Sequence, residues 1–471
     1  MQKAVCVPGR LKDDSYMAEV FHVCREEGCM HVIMRRLFLK RKGFARLRCD
    51  KLCLYEYVIP LSLREQMPEK VVIVGGGFGG LETALSLKNL LPSAVQITLV
   101  DRGEYHSFIP SIHEIVSGAN RARDIQIPLA LILGLAGISF VRDEVLSLDL
   151  KSKKVLTSSR VLDYDYLVLS SGVENNFYDV RGAETFSHRF RSPEDAERIH
   201  ADLCSLLADK TRACSVVIAG GGPEGVEVAG ELLDLIKGLG YWHDLNSGRI
   251  SLKLIHGQDN LLPGFPTKAQ EFSREYLLQK GVTMALGHRI VEVQQDSVLL
   301  DSGVKHDMSM LIWTGGIRPT RLIQELPLTK DPNGWLKVTD RLHSPDDDHI
   351  YGVGDIVSIY LHDGPLPLTR LAYHALEQAL IASMNIHNRL RGRQQVGYSP
   401  KDKPQLVSLG KEMGIYTQKD MVLSGQWVVL MKKAVQARHL MTYLTKLGLS
   451  AIASRIPGQE FWHLLRILSP L

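Results

Sequence analysis

The sequence has too few cysteines for a disulfide scaffold: seven in 471 residues, with Cys6, Cys24, Cys29, Cys49 and Cys53 before residue 54 and only Cys204 and Cys214 beyond it. It lacks an excess of either charge. Lys and Arg number 56 against 52 acids, a net charge of +4, which gives no support to nucleic-acid binding. No run reaches the ~18 uninterrupted apolar residues of a spanning helix, and no basic-then-apolar signal peptide opens the chain. The expectation is a cytoplasmic protein with reduced thiols. Apolar residues at 45% and charged residues at 23% exclude a largely disordered chain, a collagen-like fibre and an integral membrane bundle. At ~100–200 residues per domain, two to four domains are expected. The 40 glycines are somewhat many, and their clustering carries the information.

Residues 1–66 differ from the rest. Eight basic residues and one acid, Asp50, lie between Arg35 and Lys51, and no helical or strand period persists. Met67-Pro68-Glu69-Lys70 then leads directly into VVIVGGG. The segment is therefore expected to be an extension, either a poorly ordered tail or an upstream mis-start. A sharper alternative is a zinc site from Cys24, Cys29, Cys49 and Cys53, although CxxxxC and CxxxC are looser than usual paired zinc ligands. No metal is expected in the remainder.

From residue 70 onward, short β-branched runs alternate with helical stretches, the pattern of βαβ units and parallel sheets. VVIV (71–74), a glycine turn, a helix over 81–91 and a strand over 96–101 form one unit. A strand over 215–220, a second glycine turn, a helix over 224–236 and a strand over 250–256 form another, with 145 positions between Gly75 and Gly220. After residue 400 the pattern changes to a strand or two, then a basic and apolar helical end.

Gly75-x-Gly77-x-x-Gly80 follows a strand and opens a helix. The first glycine permits the tight turn, the second lets backbone approach a pyrophosphate, and the third allows close helix–strand packing. Asp101 ends the next strand, 21 residues after Gly80, where it can accept hydrogen bonds from a ribose. Gly220-x-Gly222-x-x-Gly225 repeats the design, but His256 stands where an acid would select NAD. Its sequence neighbours Ile255, Gly257 and Gln258 include no arginine, so NADH is expected to remain usable, with NADPH favoured as His256 protonates. A third element, Ile350-Tyr351-Gly352-Val353-Gly354-Asp355, would put Asp355 beside a cofactor chain; taken alone it would read as a helix cap.

These residues together resemble the two-dinucleotide-binding-domain flavoproteins, and within them the type II NADH dehydrogenases, the single-chain, non-proton-pumping NADH:quinone oxidoreductases. The resemblance runs from residue 70 to about 450 and includes VVIVGGGFGGLETA, ITLVDRGEYHSFIPSIHEIVSG with Glu114, LDYDYLVLSSGVENNF, VVIAGGGPEGVEVAGEL, LIWTGGIRP and IYGVGDI. PQLVSLGKEMGI and LSGQWVVLMKK are similar to the start of the family's C-terminal region. It implies an α/β fold of two Rossmann-like domains: an FAD domain (67–186 and 319–400) split around an NAD(P)H domain (187–318), then a membrane- or dimer-contact region (401–471). FAD would be held by Gly75, Gly77, Phe78, Gly79, Gly80, Asp101, Arg102, Ser171, Gly172, Gly354 and Asp355. The nicotinamide nucleotide would meet Gly220, Gly222, Pro223, Gly225, His256 and Gly315. Glu227, taken to lie on the first turn of the second Rossmann helix, would sit near nicotinamide and flavin.

Three features depart from the family pattern. One is His256. Another is the quinone-site pattern, commonly AQxAxQ, which reads Ala372-Tyr373-His374-Ala375-Leu376-Glu377 and leaves Tyr373, His374 and Glu377 as candidates for the acceptor site. The third is the extension 1–66, which has no counterpart in the family.

Disulfide reductases share the architecture but need a close cysteine pair beside the flavin. None occurs between Cys53 and Cys204, and none follows Cys214. Electrons would then leave the flavin directly, for a quinone or a small carrier. Residues 427–448 and 461–468 combine large apolar residues with bases, suited to lying in a membrane interface or, alternatively, to packing on the core or a dimer partner. The leading expectation is a peripheral NAD(P)H:quinone oxidoreductase on the cytoplasmic side of the inner or plasma membrane. The alternative is a soluble redox sensor acting on a protein partner.

Overall fold

The computed structural model describes residues 3–10, 15–26, 29–40, 57–59, 70–360 and 367–447. The chain divides into two units, one ending at Pro68 and the other beginning at Glu69. The first contains an antiparallel sheet in sequential order: Lys3–Arg10, Ser15–Glu26, Cys29–Lys40 and Tyr57–Ile59. The segment expected to be a poorly ordered tail thus includes paired strands, joined by main-chain hydrogen bonds that need no side-chain alternation. Cys24 and Cys29 fall on adjoining strands; Cys49, Cys53 and Met67 lie outside the described residues.

In the second unit, Lys70–Val74 is the middle strand of a parallel sheet ordered Ile350–Gly352, Tyr166–Leu169, Lys70–Val74, Gln96–Asp101, Ser139–Arg142. Val71 to Val74 are no more than 4% exposed. A strand covered on both faces reads as a continuous β-branched run rather than an alternating one. The following helix, Phe78–Leu90, starts three residues before the expected position, because the turn at Gly75 is complete by Gly77. It stops before Pro92, which disfavours helical backbone at Leu91.

The second parallel sheet repeats this order: His188–Arg189, Met310–Trp313, Cys214–Ala219, Ile250–His256, Val282–Leu286. Its helix is Pro223–Gly238. Val173–Asn175 pairs antiparallel with Ile317–Pro319, so the chain leaves and re-enters the first domain through one two-stranded ribbon. The first domain is therefore split around the second, as the family resemblance implies.

The chain ends, within the described residues, in an antiparallel sheet (Gln405–Ser408, Gly414–Gln418, Met421–Gly425) and the helix Gln426–Leu447. The sheet docks on the second Rossmann helix at Gly230, where a Cβ would lie 2.3 Å from Gly410 N. The C-terminal helix buries Val428, Lys432, Gln436, His439 and Tyr443 and exposes Trp427, Leu430, Met431 and Met441. One face packs on the core, as one of the two readings of this stretch expects, and the other is exposed. Residues 461–468 lie outside the described residues. No described helix is long and apolar enough to cross a membrane.

Candidate active site

The first glycine turn separates packing glycines from an open one. Gly75 takes φ +104°, and a Cβ there would meet Ser170 O at 2.3 Å; a Cβ on Gly80 would meet Gly75 O at 1.8 Å. A Cβ on Gly77 would meet nothing within 4 Å. Only the middle glycine therefore borders free space, as a phosphate cradle requires. Phe78 is the first helical residue; its ring packs on His106, Phe108 and His439, leaving its backbone N–H to the turn. Asp101 accepts from Gly76 N at 2.5 Å and Gly103 N at 2.6 Å. Burial raises its carboxyl pKa, with these N–H groups and Arg102 acting in the opposite direction. Arg102 itself is an exposed rim residue, 3.9 Å from Glu144. A cavity of about 430 Å³ joins Gly75, Asp101, Arg102 and Ser171, and Ser171 shares a 2.8 Å hydrogen bond with Thr320. Gly172 turns there at φ +71°.

The third motif meets the first. A Cβ on Gly79 would lie 3.6 Å from Gly354 N, and Gly354 N donates to Gln378 Oε1 at 2.7 Å. Asp355 follows in a short 3-10 turn, so it does not cap an α-helix. Burial raises its pKa against the attraction of Arg370 and Arg191. The glycine turn, Asp101 and Asp355 thus line one side of the first sheet, a fit for an extended dinucleotide such as FAD.

The second cradle repeats the first glycine for glycine. Gly220 takes φ +121°, a Cβ on Gly225 would meet Gly220 O at 1.9 Å, and one on Gly222 would meet nothing within 4 Å. Pro223 opens the helix. Thr314 bonds Ala219 O and Gly220 O as Ser170 bonds Val74 O and Gly75 O. His256 lies against Gly221 as Asp101 lies against Gly76. A cavity of about 550 Å³ joins Gly220, His256, Gly315, His288 and Arg289. An arginine therefore does adjoin the ribose position, although not in sequence: a Cβ on Gly257 would lie 3.4 Å from Arg289 Nε.

Glu227 is the fifth residue of its helix, which corrects the first-turn placement. The first-turn acid is Glu224, paired with Arg191. Glu227 points into the protein instead. Lys432 of the C-terminal helix donates to Glu227 Oε1, and Ser408 N donates to the same oxygen at 3.2 Å. His113 stands at the centre: its Nε2 is 2.8 Å from Ser408 Oγ and 3.2 Å from Lys432 Nζ, and its Nδ1 is 3.5 Å from Glu227 Oε2. Burial raises the Glu227 pKa, opposed by Lys432, while burial and Lys432 together push that of His113 well down. Beside this network is a cavity of about 690 Å³ bordered by Glu114, Asn120, Glu231, Ser408 and Lys433. Ser117 donates to Glu231, whose carboxyl is pushed up to about 8 by burial.

Of the three acceptor-site candidates, His374 and Glu377 lie together, Nδ1 to Oε2 at 4.0 Å. Tyr373 is exposed; His374 is buried with Nδ1 3.1 Å from Tyr398 Oη; Glu377 is ion-paired with Lys403. The glutamine that tethers this helix to the Asp355 turn is Gln378, one position beyond the expected pattern. His106, on the short strand Tyr105–Ser107, is buried, with Nδ1 3.0 Å from Gly76 O and a pKa pushed down to about 4 by burial. Cys204 and Cys214 are free thiols, and burial raises the pKa of both.

Two dinucleotide cradles of one design in one folded unit define a two-Rossmann-domain oxidoreductase fold. The chain belongs to the pyridine nucleotide-disulphide oxidoreductase family, which it matches over residues 69–380. Among curated proteins it is similar to the type II NADH:quinone oxidoreductase of Staphylococcus saprophyticus, 24% identical over 381 residues that cover 79% of this chain and 94% of that one. The Staphylococcus aureus enzyme of the same name matches with the same identity and coverage. Among solved structures it resembles NDH2 from Plasmodium falciparum in complex with NADH, with a TM-score of 0.71 at 20% identity over 85% of this chain and 97% of that one. The sulfide:quinone oxidoreductase from Aquifex aeolicus gives 0.70 at 21% identity, covering 86% and 96%.

Proposed function

We propose that the chain is an FAD-dependent NAD(P)H:quinone oxidoreductase of the type II kind, acting at a membrane surface without proton pumping. The observation that carries this reading is the pair of equivalent cradles in a chain with no cysteine from residue 54 to 203. A disulfide relay has no groups to run on there, so electrons go straight to a diffusible acceptor. The similarity to enzymes named for quinone reduction supports a quinone.

Bound FAD would supply the two-electron chemistry between nicotinamide and quinone. The chain supplies the rest. Gly77 and Gly222 admit the pyrophosphates, and the helices starting at Phe78 and Pro223 present free N–H groups to them. Asp101 would accept from the adenosine ribose and Asp355 from the chain that leads to the flavin. The net reaction, NAD(P)H + H⁺ + quinone to NAD(P)⁺ + quinol, takes up one proton. Glu227 suits that duty: burial raises its pKa, and Lys432 and His113 hold its carboxyl in place.

The bare face of the C-terminal helix, Trp427, Leu430 and Met431 beside Met421 and Leu423 of the adjoining strand, is the membrane contact in this reading. In this reading the enzyme is peripheral, on the cytoplasmic side of the membrane. Nothing in the described residues favours a soluble redox reporter or assigns a homodimer. Anaerobic mixing with NADH or NADPH, then with a soluble quinone analogue, tests the function. Bleaching of the flavin followed by recovery with quinone is expected; bleaching without recovery would favour the protein-partner reading.

A further inference from the structure

The second cradle differs from the first at the ribose position. In the first, Asp101 presents a carboxylate to the ribose position. In the second, the same position carries His256, and the loop after the strand Val282–Leu286 folds back over it. Two main-chain hydrogen bonds fix that loop: Gly287 N donates to Gln258 O at 2.9 Å and His288 N to His256 O at 3.1 Å. They bring Arg289 across Gly257, where a Cβ would lie 2.9 Å from Arg289 Cγ and 3.4 Å from its Nε. Any side chain at position 257 would displace the arginine. The carboxylate of Asp301 lies 3.3 Å from His288 Nδ1, and no ion pair joins it to Arg289. The buried Nε2 of His256 has no hydrogen-bond partner. His256, Gly257, Gln258, His288 and Arg289 all border the cavity of about 550 Å³ that opens from Gly220.

We infer that this pocket is built for the 2′-phosphate of NADPH, with Arg289 as the residue that determines nucleotide choice. The inference rests on the nicotinamide-nucleotide reading of the second cradle. A carboxylate at position 256 would repel that phosphate and accept from a free 2′-hydroxyl; the structure has removed the repulsion and supplied a guanidinium. Guanidinium matches phosphate with paired N–H donors and keeps its charge at every relevant pH. The neutral imidazole of His256 adds a hydrogen-bonding nitrogen without a competing negative charge.

The FAD-loaded protein is titrated with 2′,5′-ADP and 5′-AMP, which bind without any electron transfer, and flavin reduction is measured separately with NADPH and NADH. At low salt, 2′,5′-ADP is expected to bind at least about tenfold more tightly than 5′-AMP, as charge-assisted hydrogen bonds to a phosphate require. That ratio should shrink with added salt and disappear in Arg289→Leu. The same variant should raise the KM for NADPH about tenfold more than the KM for NADH. Equal binding of the two probes, or an Arg289→Leu variant that weakens both alike, overturns the assignment. A probe preference that survives while neither nucleotide reduces flavin supports this site and refutes the oxidoreductase reading alone.

Discussion

Lys432 and Glu227, 205 positions apart in sequence, are hydrogen-bonded to each other in the interior, one on the C-terminal helix and one on the second Rossmann helix. The contact ties the region that exposes Trp427 and Leu430 to the centre of the nucleotide-binding core.

Removing either partner leaves the other buried without its counter-charge. Lys432→Met and Glu227→Gln should each destabilise the protein by about 3 kcal/mol. The double variant should recover part of that loss. Denaturant unfolding of the four proteins measures the coupling, and strictly additive losses would show that the pair is not formed. Quinone turnover should fall in both single variants while flavin content stays intact.

Glu231 should make stability depend on pH. Its carboxyl is raised from an ordinary 4.5 to about 8 in the folded protein, so the fold holds a proton that the unfolded chain has lost. The stabilisation is complete below about pH 4.5 and is lost as pH rises through about 8, on the order of a few kcal/mol. Glu231→Gln cannot ionise and should flatten the fall in melting temperature between pH 6 and 9. An unchanged slope in that variant would place the pH dependence elsewhere.

The glycines of the first turn should separate folding from cofactor binding. Gly80→Ala drives a Cβ toward Gly75 O, 1.8 Å away before relaxation, and should cost several kcal/mol or abolish folding. A Cβ at position 77 would meet nothing within 4 Å, so Gly77→Val should fold, yet yield colourless protein because the pyrophosphate can no longer approach. Absorbance at flavin wavelengths alongside circular dichroism reads both. A Gly77→Val protein with full flavin content would remove the cradle from the FAD site.

A chain beginning at Met67 should fold, bind FAD and oxidise NAD(P)H at close to the full-length rate, because the second unit starts at Glu69 and its middle strand at Lys70. Purification of the shortened chain and comparison of specific activities tests this. Failure to fold, or one equivalent of zinc in the full chain, would return attention to Cys24, Cys29, Cys49 and Cys53.

What the sequence determined by itself was local. A strand, a glycine turn and a helix lie within about twenty consecutive residues, and only glycine tolerates the backbone at Gly75 and Gly220, so both cradles, Asp101 and the position of His256 were legible as strings. The split of the first domain was implied by the family resemblance, not by any local pattern. The groups that complete the sites were not legible in this way. His113, Ser408 and Lys432 reach Glu227 or one another across 114 to 319 positions, and no periodicity records such a meeting. Burial, which raises the pKa of Glu227 and Glu231 and lowers that of His106, is a property of packed neighbours rather than of residue type. Arg289 marks the division most clearly. In sequence nothing basic adjoins His256; in the fold, two main-chain hydrogen bonds between loops carry a guanidinium to it, because parallel strands in a Rossmann sheet deliver all their following loops to the same edge.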